Sequence, residues 1–351
     1  MALQMFGFSQ TLRTPTHFVF LLVIGEFLIL FPTITFKILI HFFPFIEKFM
    51  QPISICYCSA TILHLIVGVY IGQERVVRRL TIKSSKLKDT TSIVQLSDLH
   101  VGSLPPSILV DVVTKVNELE PDFVFITGDL VDSHQIVRDS MPSPGSKCLD
   151  PTNPFYPLVQ LNAKYGTFFV MGNHDVMSGR DSVAEILSAC PNITTLVNDF
   201  VDVQLKSGAQ VRVIGIEDGS TSYFQQMVTE LEPRLAEKRP ADFTVLLHHR
   251  PAVRVWRKAM EMLGCDLFLA GHTHAGQIKV FSELVKLAFD GPVWVKLLRK
   301  RRISRYSEER LTNLDEPFMY TNPGTGMFGT AIRSSKKNEI TLFRVNPLPE
   351  T

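Results

Sequence analysis

Hydrophobic and polar positions divide the chain into two long apolar runs at the N-terminus and a larger region of short apolar runs. The first long run covers residues 17–45, where the only charged residues are Glu26 and Lys37, and the second covers residues 52–72 with none. About 20 apolar residues are needed to cross the hydrocarbon core of a bilayer as a helix. The pattern therefore predicts a hairpin of two membrane-spanning helices within residues 1–73.

A cleaved signal peptide is the alternative explanation of the first run. The run is long for a signal peptide, contains Glu26 and is followed by a second span, which favours the hairpin. Six Lys or Arg residues then lie between positions 75 and 88, and residues 74–91 are predicted to be a basic linker. Because positive residues favour the cytoplasmic side of a span, we expect an inner-membrane protein with its C-terminal domain in the cytoplasm.

Beyond the linker, continuous runs of Val, Ile, Leu and Phe alternate with amphipathic helical patterns. Such runs are typical of strands buried on both faces, so the order of elements predicts an α/β fold. The predicted strands cover residues 92–98, 122–129, 166–175, 211–218, 243–249 and 265–274. The predicted helices cover residues 105–119, 180–189, 223–232 and 252–263. One domain over residues 92–346 accounts for these elements, with an insertion at 281–309 that is first apolar and then basic.

Composition narrows the classes of function. The chain has 351 residues and a formal net charge of +2, which gives no overall electrostatic basis for nucleic-acid binding. Its five cysteines are odd in number and form no CxxC pair, so no disulfide framework is predicted. No obligate protein partner is indicated.

Five predicted strands end in residue types that bind metal ions. These ends are Asp98-Leu99-His100, Gly128-Asp129, Gly172-Asn173-His174-Asp175, His248-His249 and Gly271-His272-Thr273-His274. Singly, each has an ordinary explanation, since Asp after a strand caps helices and Gly-Asn favours turns. The carboxyl ends of strands in an open α/β sheet line one crevice, however, so the five ends together indicate a common site.

The residue types at these ends favour a borderline divalent ion such as Mn, Fe, Zn or Co over Ca, which prefers oxygen ligands. The candidate ligands are Asp98, His100, Asp129, Asn173, His249, His272 and His274. They are too many for one tetrahedral ion, so two ions that share a carboxylate are the economical interpretation. Only one of His248 and His249 can face the site if the strand continues, because side chains alternate along a strand.

The ordered set DLH, GDLVD, GNHD, HHRP and GHTHAGQ resembles the calcineurin-like metallophosphoesterase superfamily, whose pattern is DxH, GD, GNH[DE], H and GHxH. The resemblance extends over residues 92–345 and includes YTNPGTGMFGTAIR, which is similar to the glycine-rich end of the bacterial membrane-linked branch. It implies a four-layered α/β/β/α sandwich and metal-dependent hydrolysis of phosphoric esters or anhydrides.

The resemblance also implies a ligand set for each ion. The first ion takes Asp98, His100, Asp129 and His274, and the second takes Asp129 as a bridge with Asn173, His249 and His272. His249 is chosen over His248 because the family's ligand lies two residues before a proline, here Pro251. His174 takes the place of the family's catalytic histidine, and Asp175 either orients it or caps the next helix. Manganese is the expected metal, with zinc or iron as alternatives.

The two predicted spans and the short linker are similar to those of the chlamydial-type UDP-2,3-diacylglucosamine diphosphatase. That similarity implies a membrane-anchored enzyme that cleaves a pyrophosphate or phosphodiester bond of a lipid-linked substrate and converts UDP-2,3-diacylglucosamine to lipid X and UMP in lipid A synthesis. The insertion at 281–309 is expected to contact anionic lipid, and a solvated basic face is its alternative. The competing functions are a membrane-tethered phosphodiesterase or phosphatase of broad specificity and a non-catalytic scaffold, which the complete ligand set disfavours.

Overall fold

A long apolar helix precedes the folded domain in the computed structural model, which describes residues 32–143, 149–251, 262–278, 318–329 and 331–348. A 3₁₀ turn, Pro44–Phe49, leads into helix α1, Met50–Gln73. Together they form the one helix of the described residues that is long and apolar enough to cross a membrane, by length and composition alone. This helix contains the second predicted span. Most of the first span lies outside the described residues, so the two-helix hairpin stays a prediction.

The surface of α1 is apolar and largely unburied. Ile55, Ile62 and Ile66 are exposed along the helix, whereas Gly68 and Gly72, near its C-terminal end, are buried. A helix that is apolar on all sides and only locally packed suits lipid better than water.

Two sheets form the rest of the described fold. The strands are β1 Arg75–Ser84, β2 Thr91–Leu96, β3 Phe123–Ile126, β4 Thr167–Val170, β5 Ile193–Leu196, β6 Asp199–Gln204, β7 Gln210–Gly215, β8 Phe243–Leu247, β9 Leu267–Ala270, β10 Phe318–Thr321 and β11 Asn338–Pro347. One sheet has the order β1-β11-β2-β3-β4-β5, and the other has the order β10-β9-β8-β7-β6. Neighbours are parallel except that β11 is antiparallel to β2 and β6 is antiparallel to β7. The predicted α/β class is confirmed.

Alternation of side chains across the strands creates three separate cores and hence four layers. In β3, Val124 packs in the core with helices α2, Pro106–Glu118, and α4, Asn173–Ser188, while Phe125 packs between the sheets. In β8, Val245 packs between the sheets, while Leu246 packs in a third core with helix α5, Thr221–Ala236. A short helix, α3, His134–Asp139, lies between β3 and β4. The order helix, sheet, sheet, helix agrees with the architecture that the resemblance implies.

The segment 74–91 differs from the predicted linker. Its residues Arg75–Ser84 form β1, which pairs in parallel with β11 over ten positions. Because β1 lies at the edge of the sheet, its residues Arg79 and Lys83 are exposed to water, and charged residues are a common protection of edge strands. Four of the six basic residues that favoured a linker, Arg75, Arg78, Arg79 and Lys83, are therefore part of an edge strand.

Some helix boundaries also differ from the prediction. The helix predicted at 180–189 begins earlier, at Asn173, and bends where Gly179 has a φ of 112°. Most of the helix predicted at 252–263 and the whole insertion at 281–309 lie outside the described residues. The earlier start of α4 is important because it puts two candidate site residues in the first turn of a helix.

The packing of α2 gives a testable difference between two valines of one helix. Val112 is fully buried against the six-stranded sheet, whereas Val110 is 49% exposed. We expect Val112→Ala to lower the free energy of unfolding by about 2 kcal/mol, through lost burial and a residual cavity. Val110→Ala is the matched control, with an expected change within about 0.5 kcal/mol. Equal losses in chemical denaturation would contradict the assigned face of α2.

Candidate metal centre

Six of the predicted ligand residues lie in two clusters at the carboxyl ends of the strands. The first cluster is Asp98, His100 and His274, and the second is Asp129, His249 and His272. Within each cluster the candidate ligand atoms all lie within 4.8 Å of one another. These residues follow β2, β3, β8 and β9, so the site is formed jointly by both sheets.

Asp129 lies between the two clusters. Its Oδ2 is 3.0 Å from Nε2 of His249 and 3.8 Å from Nε2 of His100. Its Oδ1 accepts a hydrogen bond of 2.8 Å from the backbone N–H of His174. A carboxylate that faces both clusters and is fixed by a backbone donor can bridge two cations.

The first cluster brings two imidazoles and a carboxylate together. Nε2 of His100 is 3.1 Å from Nε2 of His274, which is 3.2 Å from Oδ1 of Asp98. The Asp98 carboxylate also accepts hydrogen bonds of 3.1 and 3.2 Å from the backbone N–H of His272. This last contact fixes the two clusters relative to each other.

The two adjacent histidines at the end of β8 have different surroundings. Nδ1 of His249 donates to the carbonyl of Thr127 at 2.8 Å, and its Nε2 is 3.3 Å from Nδ1 of His272. A neutral ring that donates from Nδ1 offers the lone pair of Nε2 to a cation. His248 instead donates to the carbonyl of Ile216 at 2.9 Å, and its ring lies 5.1 Å from the tilted ring of Phe224 on the α5 side of the sheet. This arrangement agrees with the choice of His249 as the candidate ligand.

Asn173, the seventh candidate, begins α4. Its Oδ1 is buried and has no hydrogen-bond partner among the described residues. A buried polar atom left in this state costs about 1–3 kcal/mol. A cation held by the second cluster would satisfy this oxygen, so the donor set fits a metal ion.

Unusual backbone conformations concentrate at the candidate ligands. Positive φ angles occur at Asp98 (53°), His100 (44°), Asp129 (52°), His272 (71°) and His274 (50°). Such conformations cost about 1 kcal/mol or more for each residue and persist only where the surrounding structure enforces them. Their concentration at one edge of the two sheets is typical of a functional site.

Two glycines allow the ligand loops to approach one another closely. A Cβ atom on Gly271 would overlap Oγ of Ser97 and lie 2.5 Å from Oδ2 of Asp98. A Cβ atom on Gly172 would overlap the carboxylate of Asp129. Any side chain at either position would displace a candidate ligand, which explains the glycine in the GNH and GHTH motifs.

Electrostatics favour ionised carboxylates at the centre of the site. Burial raises the pKa of Asp98, but the imidazole of His274 and its neighbours hold it well below the usual range. Burial likewise opposes ionisation of Asp129, and His249 holds its pKa low. Both carboxylates are therefore in the anionic form that binds cations.

The imidazoles differ in their protonation. Burial and the charge of His274 lower the pKa of His100 to about 4, and burial and His249 lower the pKa of His272 to about 3. Burial opposes the charged form of His249 too, but Asp129 raises its pKa to about 10. A cation must displace that proton from His249, because only the neutral ring is a ligand.

His174 and Asp175 have different tasks. Nδ1 of His174 donates to the carbonyl of Asp132 at 3.0 Å, and its ring lies 4.9 Å from the ring of His100. The carboxylate of Asp175 accepts from the backbone N–H groups of Leu130, Val131 and Gly172 at 2.8 to 3.0 Å. Asp175 therefore caps α4 and fixes the loop after β3, which is the capping alternative.

Two residues near the site were not predicted as functional. The ring of Phe328 packs against the rings of His174 and His100, at centroid distances of 4.7 and 5.3 Å. The guanidinium of Arg250, directly after His249, forms two hydrogen bonds of 2.6 and 3.0 Å to Asp218. Their only signals in the sequence are their positions in the MFGT and HHRP stretches.

Comparisons with known proteins agree with this geometry. Residues 91–276 match the family model described as calcineurin-like phosphoesterase. An uncharacterized metallophosphoesterase of Helicobacter pylori is 31% identical over 80% of this chain and 66% of that protein. A transmembrane protein with metallophosphoesterase domain of Bos taurus is 30% identical over 78% of this chain and 56% of that protein. An uncharacterized metallophosphoesterase of Bacillus subtilis is 28% identical over 75% of this chain and 82% of that protein. The chain thus spans less than two thirds of the first two of these relatives.

Among solved structures, a dimetal phosphatase from Danio rerio has a TM-score of 0.34 and 15% sequence identity, covering 52% of this chain and 82% of that chain. The protein TT1561 of Thermus thermophilus has a TM-score of 0.38 and 12% identity, covering 52% of this chain and 81% of that chain.

The two clusters predict a specific pattern of metal content. The chain is stripped of metal, incubated with excess Mn²⁺ and desalted. Elemental mass spectrometry should then find two bound ions per wild-type chain. His272→Ala should retain one ion, and Asp129→Ala should retain neither tightly, because Asp129 faces both clusters. His134→Ala, on the exposed surface, is the matched control. Two ions in Asp129→Ala would contradict a shared carboxylate.

Proposed function

Since the chain belongs to the calcineurin-like phosphoesterase family, we propose that it is a two-metal phosphohydrolase that cleaves a phosphodiester or pyrophosphate bond. The enzyme class, a metal-dependent hydrolase of phosphoric esters or anhydrides, follows from the family. The observation that supports the two-metal assignment is the position of Asp129 between two clusters of candidate ligands.

We assign the seven candidate ligands to two ions. The first ion takes Asp98, His100, Asp129 and His274, and the second takes Asp129, Asn173, His249 and His272. The short distances within each cluster and the buried Oδ1 of Asn173 support this division. Manganese is the first metal to test, with zinc or iron as alternatives, because mixed carboxylate, imidazole and amide ligands suit all three.

The residues of the chain prepare the site for an in-line displacement at phosphorus. Two divalent ions supply the positive charge that activates an attacking water and neutralises the phosphoryl oxygens. The Asp98 and Asp129 carboxylates provide the negative charge that holds such ions. The Thr127 carbonyl fixes the orientation of His249, which keeps one ligand in place throughout the reaction.

His174 is the proposed general acid. The carbonyl of Asp132 holds the proton on Nδ1, which leaves Nε2 as the nitrogen that can serve the substrate. When Nε2 is protonated, it donates that proton to the departing oxygen as the bond from phosphorus to that oxygen breaks. The packing of Phe328 on its ring restricts the rotation of the imidazole. Positioned general acids contribute about 10²- to 10⁴-fold to rate.

Arg250 is the proposed partner of the phosphoryl oxygens on the side of the second ion. Burial, His249 and Arg250 together lower the pKa of His272, so the guanidinium charge is close to that cluster. The two hydrogen bonds to Asp218 hold the guanidinium in one orientation, while its side chain remains 42% exposed. Guanidinium groups suit phosphoryl oxygens because their N–H donors form a planar fork.

We propose that the substrate is linked to a lipid. The apolar, largely unburied α1 and the description of the Bos taurus relative as a transmembrane protein support membrane association. The basic residues that follow α1 favour an inner-membrane protein with its catalytic domain in the cytoplasm. UDP-2,3-diacylglucosamine, which would give lipid X and UMP, is the first substrate to test.

A membrane-tethered phosphodiesterase or phosphatase of broad specificity is the second candidate function. Relatives in Bos taurus and Bacillus subtilis favour it, because a substrate shared by all of them would be one that animals and bacteria both contain. In this case α1 fixes the location of the enzyme and contributes nothing to the choice of substrate.

Hydrolysis assays separate these functions. We expect the purified chain with Mn²⁺ to cleave UDP-2,3-diacylglucosamine and, more slowly, a chromogenic phosphodiester, and to lose both activities in a chelator. His174→Ala should lower kcat by about 10²- to 10⁴-fold with unchanged metal content. Turnover of the soluble ester alone would favour the broad enzyme. Unchanged kcat in His174→Ala would remove the proposed acid.

A further inference from the structure

The segment that leads from β10 into β11 contacts both α1 and the candidate metal site. We call residues 322–329 and 331–338 the return segment. We propose that Arg333, in this segment, is a positioning residue: with Asn338 it connects the end of α1 to His274, so that the docking of α1 sets the geometry of the first cluster. This inference rests on the proposed function only in treating His274 as a metal ligand.

The end of α1 docks closely on the return segment. A Cβ atom on Gly68 would lie 2.7 Å from Cγ2 of Ile332, and one on Gly72 would lie 2.9 Å from the carbonyl oxygen of Ala331. The backbone N–H of Arg333 donates to the carbonyl of Gly68 at 2.9 Å. The glycines therefore permit a backbone contact that larger residues would prevent.

Three hydrogen bonds in series connect this contact to the first cluster. The side-chain amide of Asn338 donates from Nδ2 to the carbonyl of Gly72 at 2.7 Å, and its Oδ1 accepts from Nη1 of Arg333 at 3.0 Å. Nη2 of Arg333 donates to the carbonyl of His274 at 3.0 Å. Gly72 is in the last turn of α1, where carbonyl groups have no partner within the helix. Asn338 thus caps α1 and orients the guanidinium at the same time.

The guanidinium of Arg333 is well suited to this connection. Its side chain is fully buried, and it also donates to the carbonyls of Pro323, Gly326 and Lys336. Burial of a cation is costly unless its donors are hydrogen-bonded. Because the fork of N–H groups is planar and rigid, meeting acceptors from several segments at once fixes their relative positions.

The loop that carries His274 depends on such external contacts. His274, Ala275, Gly276 and Gln277 have consecutive positive φ angles of 50°, 54°, 68° and 42°. Backbone of this kind persists when its surroundings enforce it. The return segment does so a second time through Gln277, whose side chain exchanges hydrogen bonds of 2.9 and 3.0 Å with the backbone of Phe328.

The consequence for the site follows from distance. His274 holds Nε2 within 3.2 Å of Asp98 and 3.1 Å of His100, so a small shift of its loop would disturb the first cluster. Only one residue of the second cluster, His272, belongs to the same loop. Groups that orient metal ligands typically contribute about 10- to 100-fold to metal affinity. We call the hydrogen bonds from Gly72 through Asn338 and Arg333 to His274 the relay. We therefore expect the relay to affect the affinity for the first ion more than the affinity for the second.

The test uses the full chain in detergent, stripped of metal and titrated with Mn²⁺, with free Mn²⁺ counted by electron paramagnetic resonance. Asn338→Ala removes the central link, and Gly68→Leu pushes α1 off the return segment without touching the cluster. Both variants should lower the affinity for one of the two ions by about 10- to 100-fold and keep the affinity for the other. At low temperature, the spectrum of a coupled ion pair should give way to that of an isolated ion. Ala60→Leu, on the exposed face of α1, is the matched control and should behave as wild type.

Arg333→Lys keeps the charge but cannot reach Asn338 and His274 together, so it should lose the same ion. Circular dichroism and thermal unfolding of the metal-free variants report whether each chain folds. If Gly68→Leu does not fold, the metal affinities of Arg333→Lys and Asn338→Ala decide the outcome. Wild-type affinity for both ions in the folded variants would overturn the proposal, as would an equal loss of both ions. A wild-type chain that binds two ions and hydrolyses no phosphoester would end the proposed function and leave this inference standing.

Discussion

Two buried carboxylates impose the main constraint on this structure. Asp98 and Asp129 lie deep at the edge shared by two sheets, where an unpaired negative charge is very costly. Backbone N–H groups of His272 and His174 and four imidazoles from three strand ends surround them. The same constraint accounts for the positive φ angles of the ligand loops, since each chain segment must turn sharply to bring its donor inward. The surplus of negative charge and nitrogen lone pairs at one point is the condition under which cations bind.

The layered fold provides the rigidity that this arrangement needs. Each central strand is buried on both faces, so its end is fixed by packing on helices on one side and on the other sheet on the other. The contrast between His248 and His249 illustrates this: alternation along β8 directs one ring toward the α5 core and its neighbour into the site. The site therefore depends on the register of β8 as much as on the identity of its histidines.

Much of the candidate site could be predicted from the sequence, because its candidate ligands come directly after apolar runs. Such runs identify the strands and therefore where they end. Asp98, Asp129 and His272 each follow such a run. Strand β1 could not be predicted, because an edge strand with Arg78 and Arg79 has the composition of a linker. Arg333 could not be predicted either, since an arginine in a polar stretch usually lies in water, and its buried position depends on contacts with Gly68 and His274, which are distant in the sequence. The pattern of apolar and polar residues along the sequence predicts local elements such as strands and helices. The contacts of the return segment depend on residues that are distant in the sequence, so this pattern does not predict them.

The relay through Arg333 couples the docking of α1 to metal binding, for a thermodynamic reason. If docking of α1 raises the affinity of the first cluster for its ion, binding of that ion must strengthen the docking of α1 by the same factor. A tenfold effect corresponds to about 1.4 kcal/mol in each direction. The position of α1 and the metal content of the domain are then thermodynamically coupled. In the membrane-bound enzyme that we propose, a force that shifts α1 against Ile332 and Arg333 would alter the first cluster, although α1 supplies none of the candidate ligands.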